Sequence, residues 1–465
     1  MTPAPLPVPL WDTAGTSPGA HPDDGFDGGL DGDTRADVVV VGAGAAGLWT
    51  AYYLLEADPA LDVVVLEQER VAAGGSARGL GSCSARLAVS AEDVARAHGP
   101  GTARSLRATM RDAVVEVGGV AAAEEIDCGF TYAGAVTVAR TLPQLARVRA
   151  RASNAGAWGD EEQLLAPDAV AEHVGVPGVL GGSWTPDSAQ LDPARLLHGL
   201  ADVLVARGVR LVEGTRVVRV SPGAVVTEHG TVRTRVVVRA AGAWTPTIAG
   251  VDRPVAAAAL DLVATEPLGD ARWEAVGLAR GQGLADAAHD RLEVRRTEEG
   301  RLVAALPGRR RWAGTGGGPG TGRGEAGGRD AGGLAAAEAE HLQGRLVDLL
   351  PGAAGAPVTH AWRAPVAVTR DGMPRVGLDR DTGLGWATGF GRGGVAAANV
   401  AGRTLADLVT GSATELTRLP WVDHDGARPS ASRTGLALAS HLGRLADAVE
   451  ARTGWESPEL PLVRW

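Results

Sequence analysis

Short apolar runs alternate with longer mixed segments in the chain that follows residue 35. Residues 37–41 and 62–66 are apolar runs of the length of a buried strand. Between them, residues 42–47 are rich in glycine and residues 48–56 have the composition of a helix. This order predicts a strand, a tight turn, a helix and a second strand, which together form a βαβ unit.

The rest of the chain predicts two further kinds of structure. Residues 91–151 are rich in alanine and arginine and indicate helices of a different lobe. Valine alternates with polar residues over 209–220 and 225–240, which predicts that strands of a sheet return there. A final strand at 386–388 leads through a glycine-rich loop into a helix at 395–409.

The composition limits the classes of protein to which the chain can belong. The chain has 465 residues, of which 45% are hydrophobic and 22% charged, as expected of a globular enzyme with two lobes. No apolar run approaches the roughly 20 residues of a membrane span. Residues 1–33 lack both the basic and the apolar regions of a secretory signal, so a cytoplasmic location is expected.

The net charge, the two cysteines and the absence of lysine argue against several kinds of ligand and reaction mechanism. The formal net charge of -10 disfavours nucleic acid as a partner, because phosphate backbones are bound by clustered positive charge. The two cysteines, Cys83 and Cys128, form no metal-ligand cluster, and we expect no metal. The sequence contains no lysine, which excludes every mechanism that needs a lysine amine.

The glycine turn carries a dinucleotide fingerprint. Gly42, Gly44 and Gly47 follow the first strand with the spacing G-x-G-x-x-G and open the helix. This spacing allows a tight turn, close approach of a pyrophosphate and close helix packing, with the phosphates at the helix N-terminus. Glu67 ends the second strand about 20 residues later, where a carboxylate accepts hydrogen bonds from ribose hydroxyls. The sequence therefore predicts a bound dinucleotide.

Two further glycine-rich segments favour FAD over NAD. Residues 73–81 offer a second turn, in which Ser76 and Arg78 can donate to phosphate. Residues 389–394 precede the last helix and would place its N-terminus and Arg392 beside a flavin ring. Separate glycine-rich segments suit a molecule as long as FAD.

Several motifs in this order resemble the D-amino-acid-oxidase-like FAD-dependent oxidoreductases, in particular the branch near gamma-glutamylputrescine oxidase. The resemblance covers residues 36–422. Its motifs are Gly-Leu-Trp-Thr-Ala-Tyr-Tyr-Leu at 47–54, Leu-Asp-Pro at 191–193, Ala-Ala-Gly-Ala-Trp at 240–244, His-Ala-Trp at 360–362, Gly-Phe at 389–390 and Gly-Arg-Thr-Leu-Ala-Asp at 402–407.

The resemblance implies an α/β fold, α+β overall. A Rossmann-like FAD-binding lobe would be assembled from discontinuous segments, with an inserted substrate lobe built on an antiparallel sheet. The implied division is 36–90, 185–250 and 355–422 for the FAD-binding lobe, 91–184 and 251–354 for the substrate lobe, 1–35 for an extended lead-in and 423–465 for a peripheral tail.

The resemblance also implies the cofactor contacts. FAD would be noncovalent, because neither Cys83 nor Cys128 lies near the C-terminal motif where relatives attach it. The adenine would contact the backbone at Val217. The full set of expected FAD-binding residues is Gly42, Gly44, Ala45, Ala46, Gly47, Glu67, Gln68, Ser76, Arg78, Val217, Gly242, Trp244, Gly389, Phe390, Gly391, Gly393, Gly394 and Val395.

The chain departs from its relatives in two respects. Where close relatives read Gly-Ala-Ser-Gly-Arg-Asn-Gly-Gly, residues 74–81 keep Ser76 and Arg78 but lack the asparagine. Some relatives use a lysine beside the flavin to promote reaction with O2. This chain has no lysine, so Arg363 or Arg392 would have to supply the positive charge.

The expected reaction is oxidation of the C–N bond of a small amine or amino acid. A hydride would pass to flavin N5, the imine product would hydrolyse, and O2 would reoxidise the flavin. Arg363, Arg392 and His360 are the candidate catalytic residues, and Arg295 and Arg296 could bind a substrate carboxylate. Two alternatives stay open: another FAD or NAD oxidoreductase such as a hydroxylase, and a noncatalytic flavin-binding protein.

Overall fold

The computed structural model describes residues 8–13, 29–250, 255–308, 333–422 and 433–457. Parts of the predicted lead-in and tail, 1–7, 14–28, 423–432 and 458–465, lie outside the described residues. The α-helices are α1 Leu10–Thr13, α2 Ala45–Ala57, α3 Gly75–Arg78, α4 Ala91–His98, α5 Pro100–Ala123, α6 Leu142–Ala155, α7 Pro167–Ala171, α8 Pro193–Ala206, α9 Asp270–Val276, α10 Ala336–Leu349, α11 Gly394–Thr410 and α12 Arg433–Thr453.

The strands form sheets of six, four, eight and three strands. They are β1 Thr34–Arg35, β2 Val38–Val41, β3 Val63–Leu66, β4 Ser82–Ser84, β5 Thr131–Tyr132, β6 Ala135–Ala139, β7 Gln163–Leu165, β8 Gly181–Thr185, β9 Ser188–Gln190, β10 Arg210–Val212, β11 Val217–Ser221, β12 Ala224–Thr227, β13 Thr231–Arg233, β14 Val236–Arg239, β15 Ala256–Thr265, β16 Gly283–Asp286, β17 Glu293–Arg296, β18 Leu302–Pro307, β19 Val358–Val368, β20 Arg375–Asp379 and β21 Leu384–Thr388.

The six-stranded sheet is the centre of the nucleotide-binding part. Its order is β10-β3-β2-β14-β21-β20, and all neighbouring strands are parallel except the β20–β21 pair. A parallel sheet is covered on both faces, which explains why β2 and β3 are continuous apolar runs and fully buried. The predicted strand, turn, helix and strand are confirmed as β2, α2 and β3.

Opposite faces of this sheet pack against different layers. Val38 and Val40 join the core formed with α2 and α11, whereas Val39 joins the core formed with the four-stranded sheet β1-β13-β12-β11. Helix α11 comes very close to α2, because a Cβ at Gly402 would lie 2.6 Å from the backbone carbon of Trp49. This crossing brings the C-terminal third of the chain to the first glycine turn.

The second large layer is an eight-stranded sheet in the order β19-β15-β18-β17-β16-β6-β8-β7. Its neighbours are antiparallel except for the parallel pair β16–β6. Helix α10 packs on it through Leu342 and Leu346, both of which are buried. Strands β4, β9 and β5 form a short separate sheet, in which β9 pairs antiparallel with both of the others.

Strand β19 contributes to both lobes, whereas the domain division expected from the sequence placed it in one. The division assigned 355–422 to the FAD-binding lobe, but β19 pairs with β15 along its length in the eight-stranded sheet. Its side chains alternate between layers, so that Trp362 joins the core of the nucleotide-binding part and Ala361 joins the core under α10. A strand shared by both lobes cannot be assigned to one of them.

Both terminal segments contact the folded body. Trp11 in α1 is buried, and its Nε1–H donates to the carbonyl of Gly79 at 3.0 Å. In α12, the Asp447 carboxylate accepts the backbone N–H groups of His289 and Asp290 at 2.8 and 2.9 Å. Among the described helices, none has the length and apolar character needed to cross a membrane.

Candidate functional site

The first glycine turn is closed too tightly for any side chain at two of its positions. Gly42 directly follows β2 and has φ +104°, and a Cβ there would lie 2.8 Å from the carbonyl oxygen of Ala240. A Cβ at Gly47 would lie 1.9 Å from the carbonyl oxygen of Gly42. The spacing of these glycines is therefore a steric requirement of the turn between β2 and α2.

Gly44 is the N-cap of α2 and faces a cleft. Its φ of -82° suits any residue, so conformation is not the reason for glycine here. A Cβ would lie 3.1 Å from Ser76 Oγ, and the backbone N–H of Ala45 donates to the same oxygen at 3.2 Å. The N-terminus of a 13-residue helix thus opens onto the cleft, where its dipole favours an anionic group such as a phosphate.

Glu67 lies at the end of β3, next to the turn. One carboxylate oxygen accepts the backbone N–H of Ala43 at 2.9 Å, and the other accepts that of Glu69 at 3.0 Å. Burial raises the pKa of Glu67, and these N–H groups act in the opposite direction. The side chain still reaches the cleft and offers its remaining lone pairs to a ligand hydroxyl.

The second glycine-rich segment forms the opposite wall. Gly75 begins the short helix α3, and a Cβ there would lie 1.9 Å from the carbonyl oxygen of Pro365 in β19. Trp362 Nε1–H donates to the carbonyl of Arg78 at 2.9 Å. Strand β19 therefore fixes this segment, and Ser76 is held opposite Gly44.

The cleft continues from these turns to the loop before α11. Apolar side chains of Leu260, Val366 and Phe390 line it, together with Arg392. The predicted FAD-binding residues on its lining are Gly42, Gly44, Ala45, Ala46, Glu67, Gln68, Ser76, Val217, Gly242, Trp244, Phe390, Gly391, Gly394 and Val395.

Four of the predicted FAD-binding residues do not line the cleft: Gly47, Arg78, Gly389 and Gly393. They shape the turns instead, because a Cβ at Gly389 would lie 2.6 Å from Thr369 Cγ2 and one at Gly393 would lie 2.9 Å from the Arg86 carbonyl oxygen. The sequence reasoning missed Leu260, Pro365 and Val366, which enter the cleft from β15 and β19. Their apolar residue types carry no local signal of a binding site.

Two of the three candidate catalytic residues do not reach the cleft. Arg363 forms ion pairs with Asp261 at 2.6 Å and Glu338 at 3.0 Å, on the side of β19 that faces α10. His360 is buried, its Nδ1 is 2.9 Å from Thr359 Oγ1, and burial and the charge of Arg301 lower its pKa. Neither residue is on the cleft lining. Alternation along β19 explains this for Arg363, which lies on the face opposite to Val366, whereas His360 shares the face of Val366 but lies six residues further along the strand.

Arg392 does line the cleft. Its Nη2 lies 3.1 Å from Glu293 Oε2 and donates to the carbonyl of Arg291 at 3.4 Å, while its buried Nε–H has no hydrogen-bond partner among the described residues. Of the candidate catalytic residues, Arg392, which belongs to the glycine loop before α11, is the one that lines the cleft.

The two candidate substrate-binding arginines lie on opposite faces of β17, away from the cleft lining. Arg295 is buried, donates to the carbonyls of Leu80 at 3.1 Å and of Leu191, and lies over the Trp11 ring. Burial lowers its pKa to about 10. The guanidinium of Arg296 lies 3.9 Å from the centre of the Trp273 ring. Arg295 therefore holds backbone segments together.

Replacing Arg295 should destabilise the protein. In Arg295→Met the carbonyls of Leu80 and Leu191 lose a buried donor, and the free energy of unfolding should fall by about 2–4 kcal/mol. Arg296→Gln, one residue along the strand, loses a cation–π contact worth about 0.5–1 kcal/mol and serves as the control. Denaturant unfolding of both variants measures the difference, and equal stabilities would contradict the structural role of Arg295.

The fold and the cleft define the class of protein, which is that of the dinucleotide-binding oxidoreductases. One end of the cleft has the glycine turn and the acidic residue that follows β3, and the other end has the glycine loop before α11. The family model for the DAO family, FAD dependent oxidoreductases, matches residues 37–408. The chain belongs to this family, which confirms the resemblance, the fold class and the FAD cofactor that were predicted from the sequence.

Individual relatives agree with this placement. The chain is 25% identical over 394 residues to gamma-glutamylputrescine oxidoreductase of Escherichia coli (strain K12), covering 83% of this chain and 86% of that protein. Among solved structures, glycine oxidase from Bacillus cereus ATCC 14579 superposes with a TM-score of 0.65 at 19% identity, covering 83% of this chain and 98% of the other. L-amino acid deaminase from Proteus myxofaciens has a TM-score of 0.66 at 19% identity, covering 85% and 95%.

Proposed function

We propose that this FAD-dependent oxidoreductase oxidises the C–N bond of a small amine or amino acid. One observation carries the proposal: a single cleft joins the dinucleotide turn at Gly44 and Glu67 to the loop at Phe390 and Arg392. The names of the three relatives above all refer to an amine or an amino acid, which supports the same class of substrate.

The residues of the cleft fit FAD in two respects. Gly44 leaves room beside the N-terminus of α2 for a pyrophosphate, and Glu67 presents a carboxylate for ribose hydroxyls. We infer that the cofactor is noncovalent. Cys83 and Cys128 are buried, burial raises the pKa of both thiols, and neither is among the described residues lining the cleft.

FAD supplies the hydride acceptor, at flavin N5, for the carbon that bears the substrate nitrogen. The side chains of Leu260, Val366 and Phe390 make this part of the cleft apolar. Arg392 supplies a positive charge that favours an anion beside it. The substrate amine must be neutral when it loses the hydride, and the imine product then hydrolyses in water.

We propose O2 as the electron acceptor that completes the cycle. The chain has no lysine to promote this step. Arg392 is the arginine on the described lining of the cleft, and its guanidinium would stabilise the negative charge that develops as O2 is reduced. Arg363 is engaged by Asp261 and Glu338 and is not assigned this role.

The test uses the flavin itself as the reporter. The purified protein should show flavin absorption bands, and acid precipitation should release the flavin into the supernatant. Anaerobic addition of one class among N-alkyl amino acids, D-amino acids and polyamines should bleach the bands, and admission of O2 should restore them.

Each other outcome overturns part of the proposal. Bleaching by NAD(P)H but by no amine would favour a hydroxylase-like oxidoreductase. Flavin that none of these compounds reduces would favour a noncatalytic flavin-binding protein. Bands that stay bleached in O2 but recover with an artificial electron acceptor would identify a dehydrogenase.

A further inference from the structure

A cluster of arginines lies beside the Arg392 end of the cleft. It brings together residues from distant parts of the chain, and the described structure pairs them with fewer carboxylates than guanidinium groups. We call it the arginine cluster, and its members are Arg86, Arg151, Glu162, Arg291, Glu293 and Arg392.

One half of the cluster is centred on Glu162. This carboxylate lies 3.1 Å from Arg86 Nη2 and 3.0 Å from Arg151 Nε, and it accepts a hydrogen bond from Ser183 Oγ at 2.6 Å. Its side chain is 6% exposed. The charges of Arg86 and Arg151 hold its pKa below the usual value against the effect of burial. Glu162 is therefore an ionised anchor for two guanidinium groups.

The other half is centred on Glu293, at the start of β17. It lies 3.1 Å from Arg392 Nη2 and 3.5 Å from Arg291 Nε. Burial lowers the pKa of Arg291, and the charges of Arg392 and Arg291 hold the pKa of Glu293 below its usual value against burial; the charge of Arg86 acts in the same direction on both. A Cβ at Gly393 would also lie 2.9 Å from the Arg86 carbonyl oxygen, which places Arg86 against the loop that carries Arg392.

The cluster has more positive than negative charge. Four guanidinium groups share two carboxylates, so the cluster has an excess of two positive charges. A further carboxylate that acts on the pKa of Arg291, that of Asp286, is itself paired with Arg345 at 2.9 Å. Burial and the neighbouring Arg86 lower the pKa of Arg151 to about 9, as expected where cations are crowded together.

The cluster can also be reached by a ligand. The side chains of Arg86, Arg151 and Arg291 are 28–36% exposed, so none of them is sealed inside the protein. The buried Nε–H of Arg392 lacks a hydrogen-bond partner among the described residues, whereas that of Arg291 has the Glu293 carboxylate 3.5 Å away. An unpartnered buried donor on a cation is costly, and a carboxylate ligand would satisfy it.

We propose that the arginine cluster binds the carboxylates of the substrate, and that the preferred substrate is an amino acid with two carboxylate groups. This inference rests on the proposed function. When the amine is neutral, such a substrate carries two negative charges, which match the cluster's excess of two positive charges. An amino acid with one carboxylate matches half of them, and a polyamine is repelled by all of them.

The first test uses the flavin-containing wild-type protein and ligands that cannot be oxidised. Glutarate, butyrate and 1,4-diaminobutane dihydrochloride are titrated at constant ionic strength while the flavin spectrum is followed. The dicarboxylate should bind at least about tenfold more tightly than the monocarboxylate, since each charge-assisted pair contributes about that factor. Equal affinities for glutarate and butyrate would overturn the proposal.

The second test removes the excess charge. Arg151→Gln leaves Glu162 paired with Arg86, and Arg291→Gln leaves Glu293 paired with Arg392. The double variant R151Q/R291Q should bind glutarate about tenfold to a hundredfold more weakly and butyrate with a smaller loss. The control is Arg140→Gln, which removes a similarly exposed arginine paired with Asp348 outside the cluster. A double variant that keeps wild-type glutarate affinity contradicts the inference.

Turnover separates this inference from the proposed function. Flavin reduction by amino dicarboxylates much faster than by their monocarboxylate analogues supports both. Rapid reduction by a polyamine or an uncharged amine leaves the proposed function standing and refutes the dicarboxylate preference. Tight glutarate binding with no reduction by any amine refutes the proposed function and keeps the anion site. If the double variant does not retain flavin, the inference is decided by the titrations of the wild-type protein with glutarate, butyrate and 1,4-diaminobutane.

Discussion

Gly44→Val should yield a folded protein that purifies without flavin. The valine Cβ would lie 3.1 Å from Ser76 Oγ, and its methyl groups would extend into the cleft at the N-terminus of α2, where the pyrophosphate has to approach. Overpacking costs about 1–3 kcal/mol, which corresponds to a loss of FAD affinity of about tenfold to a hundredfold. The measurement is the ratio of flavin to protein after gel filtration, followed by titration of the apoprotein with FAD.

A second glycine provides a matched control. Gly269 is also a helix N-cap with a negative φ, -72°, and a Cβ there meets no atom within 4 Å. Gly269→Val therefore makes the same chemical change at the same helix position, away from the cleft. It should keep its flavin. A Gly44→Val protein that is as yellow as Gly269→Val would show that the pyrophosphate does not pass this turn.

The turn could be predicted from the sequence because its cause is local. Gly42 needs a positive φ and Gly47 touches the carbonyl of Gly42, so the spacing is set by contacts within a few residues. The buried strands β2 and β3 were predictable for a similar reason. A strand covered on both faces of a parallel sheet must be apolar at every position, and such runs are easy to recognise.

The roles of the arginines were not predictable, because they depend on which face of a strand meets which layer. Arg363 and Trp362 are neighbours in β19, yet Trp362 packs toward the nucleotide-binding part and Arg363 pairs with Glu338 on α10. Arg295 and Arg296 diverge in the same way on β17. A motif indicates that a strand is near the site, whereas tertiary packing decides which side chains enter it.

The arginine cluster is even harder to predict from the sequence. Its six residues come from segments as far apart as Arg86 and Arg392, and apart from the glycine-rich loop of Arg392 none of these segments carries a recognised motif in this arginine-rich chain. The excess of positive charge becomes apparent only when the guanidinium groups and carboxylates of the cluster are counted in the folded structure. The whole chain has a net charge of -10, so its composition points away from an anion site.

Glu67→Gln should weaken FAD binding while the fold is retained. Glutamine has nearly the same shape but offers one acceptor oxygen instead of two. The N–H groups of Ala43 and Glu69 now share the carboxylate, so in the variant one of them, or the ribose hydroxyl, would face an NH2 group. Loss of hydrogen bonds to a charged acceptor costs about 1.5–3 kcal/mol, which predicts a dissociation constant at least about tenfold higher.

Asp37→Asn distinguishes a binding effect from a general weakening of the sheet. Asp37 precedes β2, at the edge opposite to Glu67, and its carboxylate accepts the backbone N–H of Asp62 just before β3. The same change of carboxylate to amide therefore affects the same two strands away from the cleft. We expect both variants to unfold at similar denaturant concentrations as apoproteins, and Glu67→Gln alone to lose FAD affinity in a fluorescence titration. If the two variants bound FAD equally well, the carboxylate of Glu67 would not be a ligand of the ribose, and its role would be limited to holding the glycine turn.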